Sequence, residues 1–220
     1  MADLPFRSIP LFAGISPEDM EAISRIAQPR SFPRGTVIFR QGDPGDGLYL
    51  IEEGRVKVFL ADEEEEEEEV IVDLLGPGDY FGEMALIDAE PRSSGVATLQ
   101  DTEVHLIGKS DFRRLLQGSN ELAQSLLQGL SERLRNANRM IEALATLDVH
   151  GRVARTLLQY AETRDGQVVV AEPLTQQDIA HMVGASREMV NRVLQDLTRR
   201  GMIRREGRTL FLDGFPTPAR

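Results

Sequence analysis

The chain has no cysteine among its 220 residues and only three histidines. That absence excludes disulfides, thiolate zinc sites, cysteine-ligated iron–sulfur clusters and a cysteine nucleophile. No window approaches 18 consecutive apolar residues, and Met1-Ala2-Asp3-Leu4-Pro5 has neither a basic nor an apolar leader region. No membrane partner and no secretory signal are therefore expected, and a cytoplasmic location is. Gly-x-Ser-x-Gly, Walker, His-Glu-x-x-His and Gly-x-Gly-x-x-Gly patterns are all missing, so an enzyme is not expected. His105, His150 and His181 are far apart in sequence, and none has His-x-x-x-His spacing. They read as structural, with His150 beside Gly151 placed to tune a hinge, and no metal is expected.

What remains is an ordinary globular composition, 41% apolar and 28% charged, enough for one large domain or two modest ones. Taken as a sum, the net charge of −11 argues against a nucleic-acid partner, yet it is unevenly spread. Residues 1–149 hold 14 Lys and Arg against 28 Asp and Glu, a net of −14; residues 150–220 hold 11 Arg against 8 acids, a net of +3. Within 186–208 stand Arg187, Arg192, Arg199, Arg200, Arg204, Arg205 and Arg208, against Glu188, Asp196 and Glu206. A local basic face is enough for phosphate contact.

After a helix start at Ser16-Pro17 come short β-like runs: Thr36–Phe39, Leu48–Glu52, Val56–Leu60, Val70–Leu75, Gly95–Leu99 and Glu103–Ile107. Glycine-bearing turns separate them, which predicts a sandwich, barrel or jelly roll. Asp62 and the run Glu63–Glu69 read as a solvated hairpin loop; a calcium site is the sharper alternative, disfavoured because metal loops need interspersed glycine. From Asp111 the pattern is helical for about 35 residues. Leu126, Leu130, Leu134, Ala137, Ile141 and Leu144 approach a coiled-coil seam, so one face either packs on the chain's own sandwich or pairs with a second copy. Leu147–Gly151 reads as a hinge. A helix over Gly151–Thr163 and a hairpin-like stretch at Asp165-Gly166 lead to Thr175, a capping-box start for a short helix. Gly184 then supplies a tight turn, Ser186 caps Arg187–Arg199, and Met202–Leu212 forms a small hairpin. Two short helices joined by glycine, the second opening on exposed arginine, match a helix-turn-helix, although such pairs also serve as plain packing units.

The segment Phe81–Val96 combines a short helix start with Arg92, Ser93 and Ser94, an arrangement suited to one phosphate, and Glu83 is a nearby acceptor for a sugar hydroxyl. A cyclic nucleotide has both features. Here the chain resembles the cyclic-AMP receptor protein (Crp/Fnr) family of bacterial transcription regulators. The resemblance rests on Arg34-Gly35 through Gly42-Asp43, on Phe81-Gly82-Glu83 to Pro91-Arg92-Ser93, on Leu147–Ala154, and on Val183-Gly184-Ala185-Ser186-Arg187-Glu188.

The resemblance implies an α+β chain: an N-terminal jelly-roll-like β-roll sensor (1–110), a long dimerisation helix (111–146) and a C-terminal winged helix-turn-helix (147–220). It implies a homodimer that binds double-stranded DNA, with cyclic AMP as allosteric effector and RNA polymerase as partner. By the same resemblance Gly82 and Glu83 meet the ribose, Arg92 and Ser93 hold the phosphate, Met84, Ala85 and Ser94 complete the nucleotide site, and Arg133 lies near the nucleotide. Ala137 and Asn138 stand where relatives often carry threonine followed by serine or asparagine. The missing hydroxyl removes a bond worth about 0.5–1.5 kcal/mol, which opens the alternatives of cyclic GMP, a cyclic dinucleotide or no ligand. Arg187, Glu188 and Arg192 look like the base-reading trio for a TGTGA-like palindrome, with Thr175, Gln176, Ser186 and Asn191 beside them. Gln176 replaces an arginine of some relatives. Relatives that sense oxygen or carbon monoxide use cysteines, and this chain has none. A sensor that docks on a protein partner through its basic tail is the remaining alternative.

Overall fold

The computed structural model describes residues 9–61, 69–170, 174–207 and 209–215. The chain divides into two compact units, Met1–Arg135 and Asn136–Arg220. The first begins with helix α1 (Pro17–Ile26), whose Ser16 cap accepts from the Asp19 amide. Strands β1 (Gln28–Phe32), β2 (Val37–Phe39), β3 (Gly47–Glu53), β4 (Val56–Ala61), β5 (Glu69–Leu75) and β6 (Tyr80–Phe81) follow. The single turn α2 (Met84–Ile87), strands β7 (Gly95–Thr98) and β8 (Thr102–Gly108), and helices α3 (Lys109–Gly118) and α4 (Asn120–Thr146) come next. The strands form two antiparallel sheets, ordered β1-β8-β3-β6 and β2-β7-β4-β5.

All six expected strands form, each within one residue of the expected limits. Sequence reasoning missed β1 and β6. The first is polar and contains Pro29, which a sheet tolerates at an edge, and β1 is an edge. In β3, neighbouring side chains point to opposite faces, and both faces are buried. Leu48 and Leu50 join Phe112, Leu122 and Leu126 in a core against the helices, while Tyr49 and Ile51 join Phe81, Val96 and Val104 in a second core. Strands β4 and β5 pair from Val56 opposite Leu75 to Ala61 opposite Glu69. The acidic run between them, 62–68, lies outside the described residues.

The helical stretch expected to run unbroken from Asp111 is two helices. Ser119 is extended (φ −132°, ψ 114°), and its hydroxyl accepts from the Leu122 amide at 3.2 Å, so it ends α3 and starts α4. The expected seam also needs correction at its start. Leu126 is buried in the unit's own core and Leu130 packs against that core, whereas Leu127, Leu134 and Ile141 are 63%, 63% and 64% exposed. The residues that face outward are Leu127, Leu134 and Ile141 with Ala137 and Leu144, two rows at seven-residue spacing.

The second unit contains the end of α4, then α5 (Val149–Gln159), β9 (Glu162–Arg164), β10 (Gln167–Val170), α6 (Gln176–Val183), α7 (Arg187–Arg199), β11 (Arg204–Glu206) and β12 (Thr209–Phe211). Its sheet runs β11-β12-β10-β9. Thr175 and Asp178 form the expected capping box, Ser186 caps α7, and Gly184 takes the left-handed conformation (φ 59°) that a glycine adopts without strain. From α5, the guanidinium of Arg152 donates to Val183 O (2.7 Å) and Leu147 O (3.1 Å). The sensor sheets, long helix and winged helix-turn-helix match the α+β architecture expected. Among the described residues no helix is long and apolar enough to cross a membrane.

Candidate functional site

In the first unit, the turn from β6 into α2 and the approach to β7 meet at a recess. Gly82, Glu83, Met84, Ala85, Arg92, Ser93, Ser94 and Arg133 line it, with Phe39, Val58, Phe81 and Val96 as an apolar wall. The local sequence dictates this meeting. Gly82 has φ +87°, and a Cβ there would lie 2.6 Å from Arg92 Nη1, so both backbone and space require glycine.

Arg92 is 3% exposed, and every contact holds it rigid. Its guanidinium donates to Gly82 O (2.5 Å), Asp46 Oδ1 (2.6 Å) and Gly47 O (3.1 Å), and lies 4.1 Å from the centre of the Phe39 ring. Asp46 also accepts from the Tyr49 hydroxyl at 2.8 Å, and burial, reinforced by that bond, raises the Tyr49 pKa. Asp46 was not singled out from sequence, where it stands in a glycine-bearing turn between two of the β-like runs. Glu83 is 1% exposed and accepts through Oε1 from Arg133 Nη1 at 2.9 Å. Arg133 also donates to Tyr80 O and lies 4.9 Å from the centre of the Tyr80 ring. Burial raises the Tyr80 pKa against the pull of that cation.

Two atoms at this recess are buried without a partner among the described residues: Glu83 Oε2, an acceptor, and Arg92 Nε, a donor. Each such atom costs about 1–3 kcal/mol. A ligand offering a hydroxyl to one and an anionic oxygen to the other removes both costs, and a ribose phosphate has that pair. Ser93 is exposed, with its hydroxyl 3.6 Å from Met84 Sδ, and Ser94 is half-buried. Ala137 and Asn138 are exposed on α4 and belong to the second unit.

In that second unit, Ser186, Arg187, Glu188 and Arg192 are exposed on α7. The Glu188 carboxyl is held below the usual range, first by its own backbone N–H, then by Ser186, with smaller help from Arg187 and Arg192. Gln176 donates to Asn191 Oδ1 at 3.0 Å, joining α6 to α7. Thr175, Gln176 and Arg187 share a second recess with Arg205 of β11. Sequence reasoning counted Arg205 only within the charge total. The arginines differ in availability: Arg199 and Arg200 face Asp196 (3.4 and 2.7 Å), and Arg204 faces Asp213 (3.2 Å) and Glu206. Arg187, Arg192 and Arg205 have no ion pair among the described residues, and Arg208 lies outside them. A helix presenting free cations and one carboxylate at its start can meet phosphates and base edges.

The histidines are dispersed. His105 is 2.6 Å from Glu52, His150 is 3.7 Å from Asp196, and His181 bonds Gln177. Among the described residues no group of three or more potential ligands is placed to hold a metal.

Residues 29–119 match the cyclic nucleotide-binding domain and residues 151–213 the Crp-like helix-turn-helix domain. The CRP-like cAMP-activated global transcriptional regulator of Mycobacterium tuberculosis is 37% identical over 214 residues, 96% of this chain and 95% of that protein. The cyclic AMP receptor protein of Thermus thermophilus is 34% identical, covering 89% and 88%. Among solved structures, the c-di-GMP responsive global regulator CLP of Xanthomonas campestris superposes with a TM-score of 0.76 at 28% identity, over 91% of this chain and 100% of that one. The chain belongs to the Crp/Fnr family of transcription regulators, as a cyclic-nucleotide-responsive, DNA-binding member.

Proposed function

We propose that the protein is a cytoplasmic homodimer that binds cyclic AMP at the Glu83–Arg92 recess and then binds a TGTGA-like palindrome, working with RNA polymerase. The observation that carries the effector is the pair of orphaned buried atoms. Glu83 Oε2 accepts from the ribose 2′-hydroxyl, and Arg92 Nε, with Ser93 and Ser94, holds the phosphate. Gly82, Met84 and Ala85 shape the floor, and Arg133 answers the change at Glu83. Ala137 and Asn138 are assigned to the base, with Asn138 as its polar contact.

Residues 1–110 act as the sensor, 111–146 as the dimerising segment and 147–220 as the reader. The outward-facing heptad supports pairing of two copies, which presents two α7 helices to successive major grooves. Arg187 and Arg192 read guanine, Glu188 reads cytosine, and Thr175, Gln176, Ser186 and Asn191 flank them. A nucleotide that prefers the DNA-competent state a hundredfold supplies about 2.7 kcal/mol of bias.

Control by a cyclic dinucleotide is the second reading, favoured by Ala137 and by the c-di-GMP responsive structural relative. Calorimetric titration with cyclic AMP, cyclic GMP and cyclic di-GMP, each followed by binding to a TGTGA/TCACA duplex at fixed salt, tests both. Cyclic AMP binding that tightens the complex supports the first. No heat with cyclic AMP at millimolar concentration overturns it, and a response to cyclic di-GMP alone establishes the second.

A further inference from the structure

The side chain of Tyr80 has no part in the reading above, yet it sits between the effector segment and α4. Its ring lies in the helix-side core at 7% exposure, and its hydroxyl is buried without a partner among the described residues. That hydroxyl points at Gly129, in the middle of α4, where glycine is among the least favourable residues for a helix. The reason for glycine is steric. A Cβ at 129 would stand 2.2 Å from Tyr80 Oη, but 3.4 Å from the nearest ring carbon. One turn further along the same face, Arg133 stacks on the Tyr80 ring and donates to the Tyr80 carbonyl, while its other nitrogen holds Glu83. A buried ring with two torsions, clamped by the core and Arg133, cannot swing aside cheaply.

We infer that Tyr80, seated in the notch left by Gly129, is a positioning residue that fixes where α4 rests against the effector site, and so carries nucleotide occupancy at Glu83 into that helix. The inference rests on the effector reading above. Nucleotide at Glu83 Oε2 alters the Glu83–Arg133 pair; Arg133 and Gly129 hold the same ring, so the change reaches two points of α4 together. A helix is a continuous hydrogen-bonded rod, and a displacement at 129 is handed to its later turns. Packed elements of this kind respond by switching between discrete arrangements.

The test compares the full-length unmodified protein, Gly129→Ala, Tyr80→Phe and the double variant. Cyclic AMP binding is measured by calorimetry and duplex affinity by anisotropy, with and without nucleotide. The readout is the ratio of the two duplex affinities. Gly129→Ala is expected to lose at least tenfold of that ratio. The double variant is expected to recover most of it, since removing the hydroxyl leaves the new methyl at ordinary contact distance. A merely structural notch lowers the melting temperature of Gly129→Ala and leaves the ratio unchanged, which overturns the inference; so does a double variant no better than Gly129→Ala. If Gly129→Ala does not fold, the double variant decides alone. Absence of cyclic AMP binding by the unmodified protein overturns the effector reading itself, a result separate from an unmodified protein that responds and a Gly129→Ala variant that responds equally.

Discussion

Glu83 and Arg133, fifty positions apart, form an ion pair at 2.9 Å that uses one oxygen of a buried carboxylate and leaves the other without a partner. Because the free oxygen faces a recess, replacing it by an amide nitrogen substitutes a donor where an acceptor is required. Glu83→Gln is expected to weaken cyclic AMP by about 10- to 100-fold, the equivalent of a charged hydrogen bond of about 1.5–3 kcal/mol. Calorimetry reads it directly, and an unchanged Kd excludes a hydroxyl contact at this oxygen.

Arg92 has both a structural and a ligand-facing role. Arg92→Lys keeps the charge but cannot reach Gly82 O, Asp46 and Gly47 O together or stack on Phe39 in the same way. Urea unfolding is expected to show a loss of about 1–3 kcal/mol, with nucleotide affinity falling at least tenfold. Full stability with lost binding would assign Arg92 to the ligand alone.

Asp73 is pushed above its ordinary value of 3.8 chiefly by burial, partly offset by the Leu74 amide and Arg133. At pH between the unfolded and folded values, the folded state therefore holds a proton that the unfolded chain has released. Stability from this group is largest at acid pH and declines as pH rises from the unfolded value through the folded one. Asp73→Asn can keep the amide bond, and is expected to raise stability at neutral pH and flatten the profile. An unchanged denaturation profile between pH 4 and 8 would contradict this.

Leu134 and Ile141 are each more than three-fifths exposed on the outward heptad. Burying such a side chain is worth about 1.5–3 kcal/mol. If the proposed homodimer forms through this face, replacing both with lysine leaves a monomer at micromolar concentration in sedimentation equilibrium and weakens the palindrome more than a half-site. A persistent dimer would place the interface elsewhere.

On the reader, Arg187→Ala is expected to cost about 1–3 kcal/mol of specific affinity and relax preference at one base pair. Arg205→Ala should weaken all sequences alike and reduce the salt slope by about one. Equal loss on every duplex for Arg187→Ala would make it a phosphate contact instead.

Local rules made much of this legible. Thr175 with Asp178, Gly184 and Ser186 each state a cap or turn in their own chemistry, and the structure uses all of them. The site residues expected between Gly82 and Ser94 likewise line one recess. Other relations were hidden because they are decided by distance in space. Asp46 meets Arg92 across 46 positions, and no spacing rule links them. Leu126 and Leu127 are chemically identical neighbours; only the packing of α4 shows that the first is core and the second is exposed. Strand β1 is polar because its edge position asks little of its side chains.

Strand β3 is a shared wall. With Leu48 and Leu50 pressed against the helices, and Tyr49 stacked on Phe81 at 4.9 Å beside the Arg92 cage, neither layer has its own foundation. A one-residue slip would exchange the contents of the two layers, so register errors are punished twice. Stiffness is the other result: a push on the aromatic side is borne at once by the aliphatic side, and the sensor behaves as one plate rather than two cushions.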